Sequence, residues 1–164
     1  MAAAFEMAIS SVYVETTVIG HLVGRLLADP IVGGRQIVTR QWWPMAQAKH
    51  RLFVSRLVAD ECGAGDVAAA AERLLIVNSM EFLKASPEAD RLARQLVAGH
   101  AIPATEPRDA AHVSLAAVNG IQYLVTWNFR HIANPATRAA IESICRNAGF
   151  RPPAICTPDE LKEI

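Results

Sequence analysis

The sequence predicts an α/β domain with a mostly parallel sheet and helices on both faces. Three observations carry that prediction. Short β-branched runs such as SSVYV (10–14) and IQYLVTWN (121–128) alternate with longer stretches of helical periodicity. Capping signatures such as Ser55, Asp66 and Thr105 mark helix starts between the strands. The β-α-β-α order then calls for crossover connections and a parallel sheet. At 164 residues the chain fits one domain. A chain of this length buries roughly 70% of the surface its unfolded form exposes, enough for a full core.

The elements follow in order. Strand one, 10–14, leads into a helix over Thr17–Leu27, where Val18, Leu22 and Leu26 repeat every four residues, as do Ile19 and Val23. A second, less regular helical stretch covers 29–50, weakened at its start by Gly33-Gly34 and open to a kink at Pro44. RLFVS (51–55) is strand two, and Ser55 caps a helix through Glu61. Gly63 and Gly65 end it, and Asp66 caps an alanine-rich helix over 67–75. IVNS (76–79) reads as a short strand. A helix over 86–103 opens with Ser86, Pro87 and Glu88. The next, over 105–120, takes Thr105 as N-cap, Pro107 in its first turn and Gly120 at its end. Strand four is 121–128, a helix covers Thr137–Ala148, AICT (154–157) is the last strand, and a final helix starts at Thr157. The domain is placed at residues 10–164, with 1–9 as a poorly ordered N-terminal extension.

Composition excludes some functions. Hydrophobic residues make up 52% and the mean hydropathy is +0.20, but much of the excess is alanine and reads as helix. No apolar run approaches the roughly 20 residues that span a bilayer. The start, AAAFEMAIS, is interrupted by Glu6 and lacks a basic leader, so no signal peptide is expected. The 16 basic and 16 acidic residues cancel, which argues against nucleic-acid binding by bulk charge while leaving room for a local basic rim. Cys62, Cys145 and Cys156 are odd in number and show no metal-binding spacing, which points to reduced thiols and a cytoplasmic location.

In open parallel sheets, ligands sit beyond the carboxyl ends of the strands. Glu15 directly follows strand one. A charge there is costly unless it is paired or holds a metal, and nothing nearby in sequence offers a cation. Glu61 lies at the end of the helix after strand two, Asp109 in the first turn of the helix before strand four, and Asn128 directly after strand four. Only a fold can gather residues so far apart in sequence. Singly, each has a plainer reading: Asp109 favours a helix N-terminus, Glu61 an exposed helix end, and Asn128 a turn. His112 shares a helix face with Asp109 and reads first as a partly buried polar residue. His131 and Asn134 read as organisers of the loop after TWNF, and Trp42 and Trp43 as packing. Arg25, Arg35, Arg40 and Arg73 read as solvated surface, with a phosphate-facing rim as the alternative.

Four segments, VYVETTVIG (12–20), LVADECGAGD (57–66), DAAHVSLA (109–116) and LVTWNFRHIAN (124–134), together resemble the PIN-domain superfamily and its VapC-like branch. The resemblance spans residues 12–134. It implies a three-layer α/β/α Rossmann-like PIN domain and a metal-dependent ribonuclease site. It places Glu15, Glu61, Asp109 and Asn128 at the catalytic positions, with Glu15, Glu61 and Asp109 holding Mg²⁺ or Mn²⁺. Thr16, Thr17 and His112 become substrate- or water-positioning residues, and Asp66 a peripheral acid. Two departures stand out: the first acid is Glu where the family commonly has Asp, and the fourth position is the uncharged Asn128. Crowded carboxylates repel, and a hard divalent cation relieves them. The implied activity is RNA phosphodiester hydrolysis by the toxin of a type II toxin–antitoxin pair, with RNA, a cognate antitoxin and a second copy of the chain as partners. The homodimer is also expected from the apolar early helices. The alternative is a catalytically weak PIN domain that binds RNA or protein. A dehalogenase-like phosphatase or receiver domain ranks last, because VETT contains no aspartate.

Overall fold

The computed structural model describes residues 8–162. It is a three-layer α/β/α Rossmann-like domain built on one all-parallel, five-stranded sheet. The elements are β1 (Ser11–Val14), α1 (Thr16–Leu22), α2 (Pro30–Lys49), β2 (Arg51–Val54), α3 (Arg56–Cys62), α4 (Val67–Val77), β3 (Glu81–Phe82), α5 (Pro87–Ala98), α6 (Pro107–Val118), β4 (Tyr123–Val125), α7 (Pro135–Asn147) and β5 (Ala154–Cys156). The strand order is β3-β2-β1-β4-β5. Tyr13 in β1 lies opposite Phe53 in β2 and Leu124 in β4. The described residues contain no helix long and apolar enough to cross a membrane.

β1 is the centre of the sheet and its residues show why. Val12, Tyr13 and Val14 are all fully buried, so side chains on both faces of the strand are covered. Leu124 and Val125 of β4 and Val54 of β2 flank them at the same depth. Helix contacts fall into two sets: α1 with α2, α3 and α4, and α5 with α6 and α7. Trp42 and Trp43 pack into the core, as expected. The three cysteines are free, and burial pushes their thiols up, to about 11 for Cys62 and Cys145 and about 12 for Cys156.

Several elements differ from the sequence prediction, each for a local reason. The first helix stops at Leu22 rather than Leu27, and residues 23–29 turn back to start α2. Asp29 caps α2, its Oδ1 accepting from the backbone of Ile31 (3.0 Å) and Val32 (2.8 Å), with Pro30 in the first turn. Gly33 does not weaken this start but permits it. The Leu27 carbonyl oxygen approaches so closely that a Cβ on residue 33 would lie 2.6 Å from it. Pro44 sits inside α2, which continues to Lys49. IVNS is no strand: Ile76 and Val77 complete α4, and the edge strand comes later, as the two-residue β3. The N-cap of α6 is Glu106, not Thr105. Asn134 caps α7, which therefore begins at Pro135. Thr157 opens a turn rather than a helix among the described residues: its hydroxyl donates to Asp159 Oδ1 (2.6 Å), and its N–H to Glu160 Oε2 (2.8 Å). Of the predicted N-terminal extension, residues 1–7 lie outside the described residues. Ile9 is exposed, and the Ser10 carbonyl already accepts from Arg51 N (2.9 Å).

Candidate active site

The strand order fixes where a site can form. From β1 the chain runs to β2 and β3 on one side of the sheet, then crosses to β4 and β5 on the other. The crevice beyond the carboxyl ends of β1 and β4 is therefore the topological switch point, where parallel sheets open to ligands. Glu15 follows β1 and Thr126 follows β4, and the two segments are tied by Glu15 N donating to Val125 O (3.1 Å).

Glu15 is 3% exposed and caps α1. Its Oε2 accepts from the backbone N–H of Thr17 (3.2 Å), from the Thr17 hydroxyl, and from the Thr126 hydroxyl (2.7 Å). These donors take up the charge that burial would otherwise make costly. The two threonines hold the strand ends together as well. Thr17 Oγ1 accepts from Trp127 N (2.9 Å), and Thr126 Oγ1 accepts from Asn128 N (2.9 Å). Trp127 in turn donates its indole N–H to Thr39 of α2 (2.9 Å). The second threonine of ETT is thus a structural clasp between β1 and β4.

Glu61 reaches the same crevice from α3. Its Oε1 accepts from His112 Nε2 (2.7 Å) and from the Thr16 hydroxyl (3.3 Å). A carboxylate has no proton to give, so Nε2 carries the hydrogen. On the other side of the ring, Nδ1 lies 2.8 Å from the Tyr13 hydroxyl, which is 2.7 Å from the Ser55 hydroxyl. Burial pushes the Tyr13 hydroxyl far up, so it stays a donor. Burial also pushes the Glu61 carboxyl up, but the His112 hydrogen bond and charge, with Thr16 and Arg108, outweigh it and hold Glu61 below its ordinary value of 4.5. His112 Nε2 also lies 3.9 Å from Glu15 Oε1, so the ring stands between the two acids.

Asp109 lies one turn before His112 on α6 and faces a different partner. Its Oδ2 is 2.8 Å from His131 Nδ1. Glu106 joins them: ligand atoms of Glu106, Asp109 and His131 all lie within 4.8 Å of one another, and all three residues are half-buried. Among the described residues this is the group that meets that spacing. Glu15, Glu61 and Asp109 do not form such a trio. Asn128 turns inward on its own loop. Its Oδ1 accepts from His131 N (3.0 Å), and its carbonyl from Ile132 N (3.2 Å) and Ala133 N (2.8 Å).

The predicted residues therefore form one connected network with two walls. Glu15, Glu61, His112, Thr16 and Thr17 touch directly or through one side chain. Asn128 joins them through Thr126, and Asp109 through His131, along Glu15–Thr126–Asn128–His131–Asp109. Sequence reasoning missed Glu106, Tyr13 and Thr126, and assigned His131 to the loop alone. The E-x-x-D spacing of Glu106 and Asp109, one helical turn, was the available signal for Glu106. The donor set, rich in carboxylate oxygen with imidazole beside it, fits Mg²⁺ or Mn²⁺. Mg²⁺ keeps several waters, so an ion here would need only one or two of these acids directly. No protein-family model, curated protein or solved structure matches the chain.

Proposed function

We propose that the chain is a PIN-like endoribonuclease that uses Mg²⁺ or Mn²⁺ to hydrolyse RNA phosphodiesters. The observation that supports it best is the convergence of Glu15, Glu61, Asp109 and Asn128 on one hydrogen-bond network at the switch-point crevice. Three acids from distant segments gathered at one sheet edge are what a divalent cation would draw on, although each already has a hydrogen-bond partner in the protein. Glu15, Glu61 and Asp109 would hold the ion. When bound, it supplies an activated water for attack on phosphorus and neutralises the charge that develops. Thr17 and Thr126 fix the Glu15 carboxylate, His112 and Thr16 orient Glu61, and His131 orients Asp109, as outer partners of metal ligands do. The role of toxin in a type II toxin–antitoxin pair, with a cognate antitoxin and a homodimeric state, rests on the resemblance of the four segments.

A second reading has one observation in its favour. Asn128, at a position where the family often has an acid, directs its side-chain oxygen to its own turn. A catalytically weak domain that binds RNA or protein is consistent with that. Calorimetric titration with Mn²⁺, paired with RNA cleavage on the same samples, separates the two. Binding and cleavage that both disappear in Asp109→Asn support the nuclease. Mn²⁺ binding without cleavage of any RNA supplied favours the binding module.

A further inference from the structure

Beside the crevice lies a cavity of about 340 Å³ that the site does not use. It is bounded by the end of α5, the following turn and the loop between β4 and α7. Val97, Pro103 and Ala104 give it an apolar floor, and His100 and Arg130 give it a basic rim. None of its lining residues is acidic. His131 belongs to both places, because its Nδ1 pairs with Asp109, so the cavity and the crevice share a wall.

We infer that this cavity is a nucleotide subsite, holding one residue of a single-stranded RNA next to the scissile bond. The inference rests on the nuclease reading above. An apolar floor takes a base, and a basic rim takes the adjoining phosphates, the combination by which single strands are held without sequence readout. The chain has no net charge, so attraction for a phosphate backbone must come from a local cluster such as this one.

Two features show that the rim is built. His100 is the one non-glycine residue with a left-handed backbone among those described (φ 58°), at the turn that ends α5. Glycine or asparagine usually occupies such a position, and here it presents an imidazole to the cavity. Arg130 sits on a turn pinned by the two backbone bonds to the Asn128 carbonyl.

The test is binding of a fluorescein-labelled uridylate hexamer in EDTA at low salt, with cleavage of the same RNA measured separately in Mn²⁺. Arg130→Ala is expected to weaken binding about tenfold and to lower its salt dependence. His100→Gly keeps the backbone conformation, removes the imidazole and is expected to weaken binding about threefold. Thermal unfolding checks that both variants fold. Wild-type affinity in both variants overturns the subsite, and so does a wild-type chain that does not bind the hexamer. The nuclease reading is judged by the Mn²⁺ assay. A wild type that cleaves while both variants bind normally keeps the nuclease and loses the subsite, whereas weakened variants without wild-type cleavage keep a single-strand binding site and lose its place beside a scissile bond.

Discussion

The two walls of the crevice are held in opposite ways. On the β1 wall, Glu15 is almost fully buried and accepts three hydrogen bonds, and Glu61 is locked through His112 and Tyr13 to Ser55. On the α6 wall, Glu106, Asp109 and His131 are half-buried, and Asp109 is held by His131. The contrast is sharpest between Glu15 and Asp109: removing the first carboxylate leaves buried hydroxyls without an acceptor, while Asp109 is 14% exposed and water can replace part of what its carboxylate does.

The largest expected effect breaks or keeps that contrast. Glu15→Leu strands the Thr126 and Thr17 hydroxyls and should cost about 3 kcal/mol of stability. Urea denaturation measures it, and a wild-type midpoint would show that Glu15 is not structural. Asp109→Asn should leave stability within about 0.5 kcal/mol of wild type. It should slow RNA cleavage about a hundredfold or more, since losing about 3 kcal/mol of metal-borne stabilisation has that effect. Equal stability losses in the two variants would erase the distinction between the walls.

A smaller effect sharpens it. Tyr13→Phe removes the hydroxyl between Ser55 and His112 and should cost about 1–2 kcal/mol by the same denaturation assay, although Tyr13 touches neither acid. The smallest is a pH effect on Glu61. Its carboxyl titrates below 4.5 in the folded chain, so its contribution is full above that pH and is lost as pH falls through the folded value. The stability difference between wild type and Glu61→Gln should therefore shrink on acidification below pH 4.5. A difference that grows would place the Glu61 carboxyl above its ordinary range.

What was legible in the sequence follows the same division. Apolar runs bounded by turns identified β1, β2, β4 and β5; the signal is strongest in the central β1 and β4, whose side chains are covered on both faces. β3 escaped because two exposed residues at a sheet edge carry no pattern, and the apolar Ile76-Val77 drew the strand to the wrong place. Glu15 stood out because a charge at the end of a buried strand demands a partner. Thr17, two residues on, supplies two of its hydrogen bonds, but Thr126 lies 111 residues away and only the fold reveals it. His131 read as a loop residue because its bond to Asp109 crosses from the β4–α7 loop to α6. Asn128 was legible as a turn residue from its neighbours alone, and its hydrogen bonds are those of a turn.

The central claim is that the two walls act as one metal site. The direct test is an anomalous-difference map from crystals of the wild-type chain soaked in Mn²⁺. The account predicts a peak in the crevice coordinated by Asp109 together with Glu15 or Glu61. A peak held by Glu106, Asp109 and His131 alone, or no peak in the crevice, would contradict it.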